Sequence, residues 1–451
     1  MYTTIKKNKW WILIFIICTV PRFFISFINQ ESNDDHAETV KQWMMKGEYP
    51  AVDDCFECFQ PPAYYWVIKN ICKLNINNDK PVIYATMKWV NFVFGIFILL
   101  YIIYACTFFN LWIGYQYIIA LFWGLNPKLI AICAQMTNDT AIILLGLIYT
   151  HLLYLFFKNY FVFKKFFYLV IIASLAALTK GTGLLFIGVT ALLLLYLILA
   201  NKVIINKLWI SYGAVLFAAI ICVAYFGNYY RKYQENGNPF ITNWKADNPP
   251  NFFKFDSSKA RLGITTVSQS FFTFRIFDLV INPAIENGYK NTPINRTSFF
   301  TMLYAQYSNV FYEQYPHGWR NKDPLPTLFA QINYIVQLPL LLVFIFGVIQ
   351  SVKDLLKRKQ VDYYFCLFLL FCIFMFFLIY YAYIFRDFSF IKVIFIFPIL
   401  ASIIHIFFRG IMAIKNKKYL MYSTVLLLSI SSILYLINLY YLYLTLMHAY
   451  N

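Results

Sequence analysis

The stretch Lys9-Trp10-Trp11-Ile12-Leu13-Ile14-Phe15-Ile16-Ile17-Cys18-Thr19-Val20-Pro21-Arg22-Phe23-Phe24-Ile25-Ser26-Phe27-Ile28 is an almost unbroken apolar run. A helix of roughly 20 such residues crosses a hydrocarbon core about 30 Å thick. The run ends in Phe27-Ile28-Asn29-Gln30 with no small-residue cleavage site, so it reads as a retained span and not a signal peptide. Similar runs recur to the end of the chain, and about eleven spans are predicted. They are 9–29, 82–108, 114–134, 139–157, 166–180, 182–200, 207–227, 328–350, 362–384, 390–408 and 419–446. Composition agrees, with 61% hydrophobic and 13% charged residues among 451. Soluble domains carry about 25% charged residues. The fold class that follows is an all-α polytopic membrane protein.

The net charge of +18 is not a nucleic-acid footprint, because the basic residues fall in short loops between apolar runs. Lys6, Lys7 and Lys9 precede the first span, and Lys158, Lys164 and Lys165 follow the fourth. Lys202 and Lys207 follow the sixth. Lys353, Lys357, Arg358 and Lys359 follow the eighth, and Arg409, Lys415, Lys417 and Lys418 the tenth. With eleven spans all of these share one side, which the positive-inside rule assigns to the cytoplasm. About eighteen of the twenty acids then lie outside, mostly in the loops 30–81 and 228–327. The predicted organisation is a transmembrane module 1–227 containing the outer loop 30–81, a large extracytoplasmic loop 228–327, and terminal spans in 328–451.

Loop 30–81 opens with Glu31-Ser32-Asn33-Asp34-Asp35-His36. Asn33 or Asp34 can cap a helix from about 35 to 46, with Ala37, Val40, Trp43 and Met44 on one face and Gly47 ending it. The paired acids fit two readings: favourable charges at a helix N-terminus, or a carboxylate held at the membrane surface as a general base. Next comes Asp53-Asp54-Cys55-Phe56-Glu57-Cys58-Phe59-Gln60-Pro61-Pro62-Ala63-Tyr64-Tyr65-Trp66. Pro61-Pro62 sets an extended turn and a helix start, and the aromatics suit a membrane-interface belt.

A first span, paired acids opening a short helix, Gly47-x-Tyr49-Pro50 and Gln60-Pro61-Pro62-x-Tyr64-Tyr65 together resemble the GT-C superfamily of membrane glycosyltransferases. The branch is that of protein O-mannosyltransferase-like enzymes and lipid A aminoarabinose transferases. The resemblance implies a polyprenyl- or dolichyl-phosphate sugar donor and an acid of the first outer loop that activates the acceptor, carried here by Asp34 or Asp35. The commonest family form is Asp-Glu, so the second Asp is a departure and leaves the choice of base open. Asp139, after Asn138 and before Thr140, matches a second family acid; it is equally a helix-cap candidate. Lys180, in the tight hairpin Thr179-Lys180-Gly181, lies against the positive-inside trend. The resemblance implies a donor-phosphate contact there, as it does for Arg386 and Lys392, while snorkelling or a surface pair with Asp387 is the plain alternative. His36, Glu57, Gln60, Pro61, Tyr64, Tyr65 and Asn138 are the candidate substrate-pocket residues.

Transfer from a lipid-phosphate sugar needs cations to offset charge growing on the phosphate and a carboxylate to take the acceptor's proton. A single displacement inverts the anomeric centre. No cofactor is required; a divalent metal is conceivable at Asp35 and His36, and two adjacent residues are weak support for it. Cys55 and Cys58, outside the membrane, are placed to form a disulfide. The acceptor is expected to be a lipid, glycan or protein, and the setting a bacterial inner membrane, or the endoplasmic reticulum in a eukaryote. Two rival readings are a lipid-linked sugar flippase or other transporter, and a non-catalytic scaffold. A transporter would need polar residues and broken helices at the midplane, and few are visible in the sequence.

Overall fold

The computed structural model describes residues 9–30, 35–73, 80–108, 111–158, 162–199, 207–241, 267–281, 283, 298–310, 324–357, 362–385 and 392–450. All regular structure among them is helical. The apolar runs form α1 (Lys9–Ile28), α4 (Lys80–Thr107), α5 (Ile113–Gly124) with α6 (Pro127–Ala134), α7 (Asp139–Lys158), α8 (Phe163–Thr179), α9 (Leu184–Leu199), α10 (Lys207–Phe226), α15 (Pro324–Lys357), α16 (Tyr363–Phe385), α17 (Leu400–Ile414) and α18 (Lys418–Tyr450). The connecting segments supply α2 (His36–Lys46), α3 (Ala63–Cys72), α11 (Tyr229–Asn236), α12 (Val267–Phe271), α13 (Ile276–Ile281) and α14 (Phe299–Ser308).

Among the described residues eight helices are long and apolar enough to cross a membrane alone, and up to ten spans result if each bent pair counts as one. The chain is therefore a multi-pass integral membrane protein. Helices lie in all eleven predicted spans, but the third is the broken pair α5 and α6, and α8 has only 17 residues. The tenth is displaced: 3-10 turns occupy Val393–Phe395 and Phe397–Ile399, and the α-helix begins only at Leu400. Pro398 has no N–H to donate, which suits it to the turns that lead into a helix better than to a helix interior. The helix consequently runs on to Ile414, and Arg409 lies inside it rather than in the following loop.

Two helix pairs are broken. α5 and α6 meet at 47° across Leu125-Asn126, where the Asn126 side chain accepts from the Leu129 N–H and Pro127 opens the new helix. α10 and α11 meet at 53°, with Asn228 in the left-handed region at φ 62°. The interior also holds Arg22, Asn91, Lys128, Asn309, Asn333, Gln337 and Asn438, all buried. The expectation of few broken helices and few interior polar residues is thus corrected. Asn91 and Asn438 each stand alone in an apolar run, where one polar residue does little to lower the run's hydropathy.

In loop 30–81, α2 starts at His36 with Asp35 in the cap position, and the Asp35 side chain makes no cap bond. Asn33 and Asp34, the expected caps, lie outside the described residues. Gly47 ends the helix in the left-handed conformation. Ala37, Val40, Trp43 and Met44 do share the face that packs on Tyr64, Tyr65, Ile68 and Met87. Tyr64 and Tyr65 are almost wholly buried, so they belong to this packing rather than to an interfacial belt; only Trp66 is exposed. In the large loop, Phe271 of α12 and Leu279 of α13 are buried, while Phe272, just past α12, and Phe277 of α13 are exposed.

Candidate functional site

Asn91 builds the site floor. Its Nδ2 donates to the carbonyls of Gln135 (2.7 Å) and Thr137 (2.8 Å), and its Oδ1 accepts from the Tyr64 hydroxyl (3.1 Å). One buried amide therefore ties α4 to α3 and to the turn between α6 and α7. A buried amide with its bonds made stabilises, whereas leaving such groups unpaired is expensive. That turn presents Asn138 and Asp139. Thr137 Oγ1 accepts from the Asp139 N–H at 3.2 Å, so Thr137 rather than Asn138 or Asp139 supplies the cap. Asn138 Nδ2 donates to the Thr179 carbonyl (3.0 Å) and to Gln60 Oε1 (3.5 Å). Asn138 opens the Asn-x-Thr sequon Asn138-Asp139-Thr140 but has no exposed surface, so it cannot receive a glycan in this fold; Asn295, which opens Asn295-Arg296-Thr297, lies outside the described residues.

Lys180 leaves the C-terminal end of α8 in extended conformation, followed by a 3-10 turn over Gly181–Gly183. A Cβ on Gly183 would stand 2.1 Å from the Ala176 backbone, so only glycine permits this turn to close on α8. The Lys180 ammonium forms an ion pair with Asp139, with side-chain exposures of only 12% and 10%. It also lies 5.4 Å from the Phe395 ring centroid, a cation–π distance. Phe395 is carried by the turns before α17, which press so closely on α7 that a Cβ on Gly146 would meet the Pro398 carbonyl at 1.9 Å. The Val393 N–H donates to Gln306 Oε1 of α14 at 2.8 Å, which fixes the backbone next to Lys392.

The first loop closes over this cluster. Glu57 is buried; its Oε2 accepts from Gln60 Nε2 at 2.9 Å and stands 3.9 Å from His36 Nδ1. His36 Nδ1 is 2.6 Å from the Tyr65 hydroxyl. Burial pushes the Tyr65 phenol far above its ordinary range, and the Glu57 charge adds to the shift, so this hydroxyl stays protonated. Glu57 lies near enough to Tyr381 of α16 for its charge to act there, and Tyr381 makes an edge contact with Phe395 at 6.1 Å. Cys55 and Cys58 are disulfide-bonded with Cα atoms 5.1 Å apart, bracketing Glu57. Two cations of α11 hold the loop from the far side. Arg231 donates to the Tyr49 carbonyl at 2.8 Å, and Lys232 to the Phe59 carbonyl.

Asp35 stands apart from this cluster. Its backbone is left-handed (φ 47°), an outlier of the kind found where surroundings over-determine a residue. Its carboxylate accepts from Lys80 Nζ (3.0 Å) and the Tyr84 hydroxyl (3.2 Å) at the start of α4. Lys80 also pairs with Glu38 at 2.7 Å, and that hydrogen bond holds the Glu38 carboxyl below its ordinary range. Asp35 and His36 thus diverge, one to Lys80 and the other inward, so the pair considered for a metal does not converge. Among the described residues no group of three His, Cys, Asp or Glu is assembled for a metal ion.

The structure thus brings together Asp139, Lys180, Asn138, Gln60, Glu57, His36, Tyr64 and Tyr65. Pro61 is buried beside Gln60, and Lys392 adjoins the Phe395 turn. Asp34 and Arg386 lie outside the described residues. The sequence reading missed Asn91, Tyr84, Lys80, Arg231, Lys232, Tyr381 and Phe395. A lone Asn in an apolar run was a readable signal for the first; the aromatics carried none. Two polar atoms here, Asn138 Oδ1 and Thr182 Oγ1, are buried with no hydrogen-bond partner among the described residues.

No protein-family model matches the chain, and no curated protein matches it. Among solved structures, ArnT from Cupriavidus metallidurans bound to undecaprenyl phosphate is similar, at 14% identity over 89% of this chain and 77% of that one, with a TM-score of 0.35.

Proposed function

We propose that the chain is a glycosyltransferase. It moves a sugar from a polyprenyl- or dolichyl-phosphate carrier to a lipid, glycan or protein acceptor at the extracytoplasmic membrane face, by a single inverting displacement. The observation that carries this reading is the buried Asp139–Lys180 pair, walled by Phe395 and Tyr381 and roofed by the Glu57–Gln60 loop. Such a cluster, at the ends of several apolar helices, suits a headgroup whose tail stays in lipid. Lys180, with Lys392 and Arg386, would offset the charge growing on the leaving phosphate. Asp139 would hold Lys180 and, once the phosphate draws the ammonium away, orient the acceptor. The base is assigned to the Asp34–Asp35 pair. Asp35 already accepts two hydrogen bonds from Lys80 and Tyr84, which favours Asp34 as the group that takes the proton. A lipid-linked sugar flippase is the second reading, favoured by the two broken helix pairs and the polar interior.

Sugar transfer from prenyl-phosphate donors, measured in detergent, tests both. Asp34→Asn should lose about 10²–10⁴-fold in rate, the usual worth of general-base help, and Asp35→Asn less than about tenfold because its role is to hold Lys80. Full transfer by the double variant would remove the catalytic assignment. A wild-type protein that translocates the donor between leaflets and transfers nothing would establish the flippase.

A further inference from the structure

Arg22 lies inside α1, 1% exposed, and donates from Nη1 to the Cys18 carbonyl at 2.6 Å. Its Nε and Nη2 have no partner among the described residues. These two atoms form one edge of the guanidinium, the side-on edge whose parallel N–H groups match a carboxylate or phosphate bidentately. Thr19 and Ser26 stand three residues before and four after Arg22, on the same helix face. Their hydroxyls, Thr19 Oγ1 and Ser26 Oγ, are also buried and unpartnered. Cys133 of α6 lies near enough to interact electrostatically with the guanidinium, and a thiol offers only a weak acceptor. Four donor atoms in one stripe are therefore left open, in a region where an uncompensated cation is strongly disfavoured.

We infer that Thr19, Arg22 and Ser26 form a second oxyanion site, separate from Lys180, that takes a phosphate group between α1 and the broken α5–α6 pair. The surroundings are apolar: Ile25, on the next turn of α1, belongs to one buried cluster with Ile130, Ala131, Leu439 and Leu442. That setting suits the phosphate of a lipid better than a hydrated free ion, since the acyl tails gain apolar contact while the guanidinium and hydroxyls meet the phosphate oxygens.

The test uses the full chain in detergent, with Lys180→Met/Asp139→Asn as the background so that phosphate at the other site does not contribute. Binding of phosphatidic acid, of diacylglycerol and of radiolabelled orthophosphate is measured in parallel. The expected result is near-stoichiometric phosphatidic acid binding and none of diacylglycerol. Arg22→Met should weaken it at least tenfold, with Arg22→Lys intermediate because the charge survives and the bidentate edge does not. Orthophosphate binding with the same Arg22 dependence and no phosphatidic acid binding would keep the site and assign it to the free ion. Should Arg22→Met fail to fold, Thr19→Val/Ser26→Ala should lower phosphate affinity several-fold with thermal stability unchanged. Binding indifferent to both sets of substitutions, or no binding of either phosphate, overturns the inference.

Discussion

Lys180 and Asp139 neutralise one another where little water reaches either side chain. Removing one member of a buried pair typically costs about 3–5 kcal/mol, because the survivor keeps its charge without compensation. Lys180→Met should lower the thermal unfolding temperature accordingly, and Lys180→Met/Asp139→Asn should recover most of the loss. Both should abolish transfer, which separates the residue's stabilising role from its proposed chemical one. An equal melting temperature in wild type and Lys180→Met would contradict the buried pairing. Both residues were legible singly: Lys180 as a cation on the wrong side of the charge rule, Asp139 as an acid at a span's edge. Their pairing was not legible, since 41 residues separate them and no local rule links a hairpin to a distant helix start. Tyr381 and Phe395 were invisible for a different reason: among 37 Tyr and 48 Phe, residue type alone singles out nothing.

Asn91 shows how much one polar side chain can organise among helices. It serves two carbonyls of the α6–α7 turn and one phenol of α3. Asn91→Leu keeps the apolar character of α4 but leaves those three groups unpaired, each worth about 1–3 kcal/mol. The expected outcome is a loss of about 3 kcal/mol or more in stability, with faster amide exchange confined to residues 135–139 and 63–66, read by hydrogen–deuterium exchange. Uniform exchange across the chain would count against Asn91 as the local tie. The helices themselves were readable because an apolar run of span length admits few other structures in lipid. What failed was the start of α17, where Pro398 falls inside the expected span 390–408. The hydrophobicity of residues 393–399 is the same whether they form an α-helix or the observed 3-10 turns, so apolar character could not reveal the break.

Across the whole molecule, lipid gives apolar side chains no reason to prefer one another over acyl tails, so close backbone approach must supply the packing energy. α15 and α17 cross at Gly347 and Gly410, where added Cβ atoms would meet the carbonyls of Ile406 and Val343 at 1.9 Å. Asp354 and Arg409 pair on the same two helices. Gly410→Leu should separate α15 from α17 and cost about 1–3 kcal/mol, visible as a lower melting temperature with the first-loop disulfide intact. No change would mean the crossing is not tight. The broken α5–α6 pair was partly legible in Asn126-Pro127, a dipeptide that favours a turn, but the apolar run continues through it and masked the bend. The Asp139–Lys180 contact also bears on timing. A resting site that is electrically balanced holds its own acid in check, and a sugar-phosphate arriving first would compete for the lysine and release that acid. On the proposed reaction the two substrates would then enter in compulsory order, carrier before acceptor, and product-inhibition patterns would show it.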